Sequence, residues 1–241
     1  MTSALIEIQN LHKKFSNEFV LKDISLKIEK ESFISILGSS GSGKSTLLRL
    51  IAGLEEKTSG AILKSEGLRW SFVFQDPCLL PWLSLEENTK LPFQLLKEKP
   101  SGIEEALALV NLTKYKNFFP HQLSGGMKMR ASIARALVTQ PEVLLMDEPF
   151  AALDEVTRFH LQDELRKICQ QKNITVIFVT HSMSEAVYLS DRVLYLNKSL
   201  GAISADLKID LGLSRDQSLK NNVKYNNYVT YLSSLFRQEI L

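Results

Sequence analysis

Gly38-Ser39-Ser40-Gly41-Ser42-Gly43-Lys44-Ser45 sets a lysine and a hydroxyl directly behind a glycine-rich run. The pattern is G-x-x-x-x-G-K-[ST]. Successive backbone N–H groups and the start of the following helix wrap phosphates, Lys44 carries charge to the β- and γ-oxygens, and Ser45 offers a hydroxyl to Mg2+. Glycine is required where such a loop takes backbone angles that other residues resist. Further along, the apolar run Val143–Met146 ends in Asp147-Glu148. A carboxylate at that place partners Mg2+ in phosphoryl transfer, and a second one can orient or deprotonate an attacking water. His181, which follows Ile174–Thr180, has two readings: a structural histidine, or a hydrogen-bonding partner of a γ-phosphate if its strand neighbours the others.

These residues need elements that hold them. Apolar–polar alternation predicts strands over Ala4–Ile8, Phe19–Lys27 and Phe33–Leu37, with one β-like stretch over Ala61–Phe74. Leu47, Leu48, Leu50 and Ile51 predict a helix that breaks at Gly53. The middle, from about Pro77 to Gln140, reads as mostly helical and is interrupted by prolines 77, 81, 92, 100 and 120. Val143–Met146 and Ile174–Thr180 read as strands around a helical stretch Glu155–Gln171, and the tail is polar from Ser204, then amphipathic from about Tyr225 to Leu241. Unbroken apolar runs of this length suit strands buried on both faces, as in a parallel sheet. Ligands bind beyond the carboxyl ends of such strands. If the runs Phe33–Leu37, Ser71–Phe74, Val143–Met146 and Ile174–Thr180 are parallel strands, the Gly-rich loop, Gln75, Asp147-Glu148 and His181 emerge on one edge.

The 241 residues fit one large α/β domain as well as two small ones, at about 150 residues per domain. A 44 % apolar chain of that size can bury a core, which excludes disorder and small disulfide scaffolds. Twenty-nine Lys and Arg against 27 Asp and Glu leave a net charge of +2, without the basic excess of a dedicated nucleic-acid binder. Two cysteines, Cys78 and Cys169, favour a reducing compartment. Met1–Asn10 shows no leader pattern, and no apolar run is long enough to span a membrane.

Leu123-Ser124-Gly125-Gly126-Met127, 23 residues ahead of Asp147 counted from Ser124, resembles the signature motif of ATP-binding-cassette (ABC) ATPases. The ordered set is specific: Phe15, the loop 38–45, Gln75, the signature, Asp147-Glu148, Ala152-Leu153-Asp154 and His181. The resemblance spans residues 4 to about 200. It implies a P-loop α/β core with a parallel sheet, a small antiparallel β subdomain and an inserted helical subdomain at about 76–140, within an ATPase domain of 1–205. A short extension, 206–241, follows and ends in a helix. It implies ATP and Mg2+ as cofactors, with Phe15 stacking on adenine. Gly38, Ser39, Ser40, Gly41, Ser42, Gly43, Lys44, Ser45 and Thr46 hold the phosphates, and Ser45, Gln75 and Asp147 face the metal. Glu148 is the catalytic base, assisted by His181, Lys44 and Gln75. Ser124, Gly125 and Gly126 complete the site of a second copy in a head-to-tail dimer.

Val73-Phe74-Gln75-Asp76-Pro77, Leu80-Pro81-Trp82-Leu83, Glu87-Asn88 and Met127 resemble the nitrate/sulfonate/taurine-type importers. The implied partners are membrane permease subunits and, through them, a solute-binding protein, with no nucleic acid. The implied place is the cytoplasmic face of the inner membrane. Ser39, Met129, Ala151 and Ser182 depart from the common Pro, Gln, Gly and Asp, and the stretch Gly60–Val73 is several residues short. A soluble ABC ATPase uncoupled from transport is the alternative function. Trp82 and Leu83 read equally as core or as part of a socket for a permease helix.

Overall fold

The computed structural model describes residues 4–212 and 215–240. Residues 1–3, the start of the segment read as lacking a leader, lie outside it, as does Leu241, the last residue of the helix expected from Tyr225. The strands are β1 (Ile6–Phe15), β2 (Glu18–Ile28), β3 (Phe33–Leu37), β4 (Ser59–Lys64), β5 (Trp70–Val73), β6 (Val143–Asp147), β7 (Thr175–Thr180), β8 (Arg192–Asn197) and β9 (Ala202–Lys208). The helices are α1 (Lys44–Ala52), α2 (Leu85–Leu96), α3 (Ile103–Leu109), α4 (Gly125–Leu137), α5 (Glu155–Gln171), α6 (Met183–Leu189) and α7 (Val223–Ile240). They group into two compact units, one of residues up to Leu68 with those from Thr175 onward, the other of Arg69–Ile174.

In the first unit, β2-β1-β4 form a small antiparallel sheet. Leu21, Ile24, Leu26 and Ile28 turn one face of β2 inward while the residues between them face out, the period-two pattern of a half-buried strand. The other sheet of this unit is mixed. β3 lies between β7 and β8, parallel to both, and β9 runs antiparallel on β8. Every residue of β3 and β7 is buried, as strands covered on both faces must be. α1 buries Leu47, Leu48, Leu50 and Ile51 and stops at Gly53, whose positive φ lets its N–H and that of Leu54 bond back to Leu50 and Arg49.

The second unit holds the parallel pair β5–β6 and helices α2 to α5. Ser84 and Glu87 form a reciprocal capping box that starts α2. Pro92 lies inside α2 and does not end it: it removes one backbone donor, and the helix continues to Leu96.

One expected element divides in two, and three further elements were not expected. The single β-like stretch 61–74 is two strands in different sheets, because the turn at Ser65–Leu68 separates β4, on the antiparallel sheet, from β5, paired with β6. Sequence periodicity gave no sign of α6, which at seven residues is too short for one. It also passed over β8 and β9. β9 alternates half-buried Ile203, Ala205 and Leu207 with exposed Ser204, Asp206 and Lys208, a period-two outer strand where the tail was expected to be only polar from Ser204.

The C-terminal segment is part of the first unit and packs within it. Arg215 donates from Nη1 to the carbonyls of Val187, Tyr188 and Ser190 at 3.1, 2.8 and 2.9 Å. Along α7, Tyr225 and Leu232 are buried and the Tyr225 hydroxyl donates to the Ser184 carbonyl at 3.2 Å. No described helix is long and apolar enough to cross a membrane.

Candidate functional site

Two strand edges carry the chemistry, one in each unit. In the first, Leu37 of β3 pairs with Thr180 of β7, so the Gly-rich loop and His181 leave the sheet at one edge. Within the loop, Ser42 N–H donates to the Ser39 carbonyl at 3.2 Å and Leu47 N–H to the Gly43 carbonyl at 2.8 Å. The Lys44 side chain is buried, and its ammonium donates to the carbonyls of Gly38 and Ser39 at 3.0 and 2.9 Å. The cation is thereby folded back into the loop it would serve.

Gly43 caps α1 with φ +98, and a Cβ there would come within 2.9 Å of both Val20 Cγ1 and Leu21 Cδ2. Side chains rarely adopt that backbone conformation, so both the angle and the space demand glycine. Ser42 Oγ is buried without a hydrogen-bond partner. A buried hydroxyl carries a desolvation cost unless something bonds it. An anion seated in the loop, at the N-terminus of α1, fits both that hydroxyl and the positive end of the helix.

His181 is exposed, in a turn fixed from both sides. Thr180 Oγ1 donates to Glu185 Oε2 at 2.6 Å and accepts from Ser182 N–H at 3.0 Å, while Ser182 Oγ caps α6 by accepting from Glu185 N–H. Phe15 ends β1 with its ring 45 % exposed, and the Lys13 ammonium sits 4.5 Å from the ring centroid.

In the second unit, Val73 of β5 pairs with Met146 of β6, so Gln75 and the Asp147-Glu148 pair leave that strand pair at its carboxyl edge. Gln75 is exposed, Asp147 buried and Glu148 half-buried. Glu148 has φ +45, in the left-handed region. A non-glycine residue held there stores strain of about 1–3 kcal/mol, a cost that recurs at functional sites. The backbone turn at Glu148 separates the two carboxylates: Asp147 ends the strand, and Glu148 starts the turn closed by Ala151 N–H to the Glu148 carbonyl at 3.2 Å. Asp154 caps α5, and the Thr157 backbone N–H it accepts holds its carboxyl below the usual range.

Ser124 caps α4, its Oγ accepting from Met127 N–H at 3.3 Å. The two signature glycines differ. A Cβ on Gly125 would meet nothing within 4 Å, whereas one on Gly126 would sit 2.7 Å from Thr157 Cγ2 of α5.

Beyond Gln75 the chain runs through an irregular bend before α2. Trp82 is 71 % exposed, so it is not a core residue of this chain. The bend is held from beneath by residues that sequence reading did not single out as supports. Asn88 is fully buried, accepts from Leu80 N–H at 2.8 Å and donates to the carbonyls of Leu80, Leu83 and Ser84. Arg135 of α4 donates to the carbonyls of Pro77 and Cys78, both at 2.7 Å. The only sequence signal was Asn88 itself, a polar residue on the apolar side of α2.

The described residues hold no cluster of three or more His, Cys, Asp or Glu suited to a metal. A metal held mainly by phosphate oxygens needs only one or two protein carboxylates, and the buried Asp147 at the end of β6 is such a carboxylate.

Residues 21–151 match the ABC transporter family model. The chain is 44 % identical to the aliphatic sulfonates import ATP-binding protein SsuB 2 of Mesorhizobium japonicum, over 88 % of this chain and 84 % of that protein. It is 43 % identical to the bicarbonate transport ATP-binding protein CmpC of Synechococcus elongatus, over 87 % of this chain but 34 % of CmpC, so it spans about a third of that relative. Among solved structures, it resembles the dimeric post-hydrolysis state of the ATP-binding cassette MJ0796 bound to ADP and Pi. That match has a TM-score of 0.74 and 33 % identity, covering 85 % of this chain and 99 % of the other.

Proposed function

The chain belongs to the ABC transporter family and is an ATP-hydrolysing ABC ATPase, and from that premise we propose that it is the energy-coupling subunit of an importer for a small anion or organosulfonate. The observation that carries the coupling role is Trp82: a large aromatic side chain exposed on a bend that Asn88 and Arg135 hold in shape. An aromatic kept in water on a stiffened bend suits a docking contact, since aromatic residues dominate the buried centres of interfaces. A permease helix is the occupant, and the ATPase is peripheral on the cytoplasmic face of the inner membrane. The relatives acting on aliphatic sulfonates and bicarbonate support a substrate in that chemical range.

The site residues take these roles. Phe15 stacks on adenine, an interaction worth about 1–3 kcal/mol. The backbone of Gly38–Gly43, with Lys44, Ser45 and Thr46, holds the phosphates. Ser45, Asp147 and Gln75 would hold Mg2+, which would supply neutralisation of phosphate charge. Glu148 takes a proton from the attacking water, and His181 bonds the γ-phosphate. Ser124 and the N–H groups of Gly125 and Gly126 bond that phosphate from a second copy, so two chains pack head to tail around two nucleotides. The solved relative, dimeric and bound to ADP and Pi, supports that arrangement. In this reading the helical insert is the segment of about 76–140, and 206–241 is an extension.

The test has two arms. ATPase rate of the purified chain is expected to rise faster than linearly with protein concentration, and strictly linear dependence across the monomer–dimer range would refute the shared site. Reconstituted with the permease and the solute-binding protein encoded beside its gene, the ATPase is expected to respond to taurine, an alkanesulfonate or bicarbonate. Failure to bind any permease would favour a soluble ABC ATPase.

A further inference from the structure

Glu239, in the last turn of α7, reaches the phosphate loop 200 positions earlier in the chain. Its Oε1 accepts from Ser39 Oγ at 3.1 Å and from the backbone N–H of Lys198 at 2.6 Å, and its Oε2 accepts from the Tyr195 hydroxyl. One carboxylate thus joins three segments: the loop, the end of β8 and the turn after β8. The phenol that feeds it is a dependable donor, because burial first, and then the carboxylate, push the Tyr195 pKa upward. The helix behind Glu239 is anchored by Phe236, whose ring packs edge-on against Tyr195 with centroids 5.5 Å apart, and by the buried Leu232.

Ser39 is the node of the loop. Its carbonyl accepts from the Lys44 ammonium and from Ser42 N–H, and its hydroxyl is held by Glu239. The hydroxyl is the element that a proline at this position, common in the family this chain resembles, would lack. A carboxylate fixed from two other sides therefore sets the Ser39 peptide, and that peptide sets Lys44 and the curl of the loop.

We infer that Glu239 is a positioning residue for the ATP site: α7 braces the phosphate loop through Ser39, and its docking is linked to nucleotide affinity. The inference rests on the loop binding ATP. Bracing an empty loop lowers the ordering cost of binding, so the effect belongs in affinity and not in the chemical step. By linkage, bound nucleotide must favour the docked helix to the same degree.

The test uses the full chain with Mg-ATP as the probe, reading KM, kcat and ATP affinity. Glu239→Ala is expected to raise KM at least about tenfold, the size of one lost hydrogen bond to a charged group, with kcat kept within about twofold. Glu239→Gln is expected to restore KM, because its amide oxygen still accepts from Ser39 and Lys198 and its NH2 faces the Tyr195 oxygen. Ser39→Ala is expected to raise KM similarly, and adding Glu239→Ala to it should change nothing more, since the two act as one interaction. Undocking of α7 in general would persist in the Ser39→Ala background, so additive effects overturn the inference, as does an unchanged KM in Glu239→Ala. Lys44→Ala separates the two claims. If it leaves ATP binding intact, the ATP-site reading itself fails; if it abolishes binding while Glu239→Ala does nothing, only the brace fails.

Discussion

Leu37 and Thr180 lie opposite each other in adjacent parallel strands, so the next residues, Gly38 and His181, leave the sheet side by side although 143 positions separate them in the chain. Register makes the pairing binding. A slip of one residue would turn every side chain of a fully buried strand to the opposite face.

Glu148 starts a strained turn directly after the buried Asp147, so the two carboxylates face different surroundings and cannot share one task. Glu148→Gln keeps the shape and removes the carboxylate charge. It is expected to bind Mg-ATP normally, lose roughly 10²- to 10⁴-fold in turnover, and collect as an ATP-held dimer on a sizing column. Near-normal hydrolysis would place the base elsewhere.

Gly43→Ala adds a methyl group where two side-chain carbons stand 2.9 Å away and φ is +98. Strain of this kind costs about 1–3 kcal/mol, so the denaturation midpoint is expected to fall and ATP affinity with it. Lys44→Ala is expected to lose ATP with a smaller shift in midpoint, because it removes the phosphate's cation and leaves the backbone of the loop in place. Equal stability losses in both would contradict the steric role of Gly43.

Trp82 and Asn88 separate surface from support. Trp82→Ala is expected to leave stability within about 0.5 kcal/mol and ATP binding unchanged, yet to weaken permease capture. Asn88→Ala strands the amide and carbonyl groups of the bend and is expected to cost about 1–3 kcal/mol while weakening capture as well. Loss of ATP binding in Trp82→Ala would refute its assignment to a docking surface.

Cys169 is buried and Cys78 exposed. Burial pushes the Cys169 thiol from 9.0 up to about 12. Above pH 9 the unfolded chain releases that proton first, so the stability tied to Cys169 is full below pH 9 and is lost as pH rises toward 12. Ellman's reagent at pH 8 is expected to titrate one thiol in the native chain and two in denaturant. Two fast native thiols would show that α5 opens readily.

The places of the motif residues were legible because their signals are local. A glycine-rich loop between an apolar run and a helix needs no distant partner to be recognised, and the same holds for Asp147-Glu148 at a strand end and Ser124 at a helix start. The expected strands, Phe33–Leu37 and Val143–Met146, correspond to β3 and β6. Less was legible where a short element carries too few residues for a period, as in α6.

What the linear order determined was the ordered set of motifs, the glycine-rich loop, the Asp147-Glu148 pair and the Ser124-Gly125-Gly126 helix start, and hence the family and its reaction. What only tertiary structure decided was why neighbours in the chain are not equivalent and why strangers meet. A side chain at Gly126 would have to displace Thr157, which α5 places against it, while Gly125 faces open space. Asn88 and Arg135 hold the Trp82 bend through backbone carbonyls, which carry no sequence signal. Glu239 meets Ser39 because α7 folds back over the end of β8. Hydrogen bonds and steric contacts act over a few ångströms of space regardless of distance along the chain, so contacts of this kind exist only once the fold has brought the atoms together.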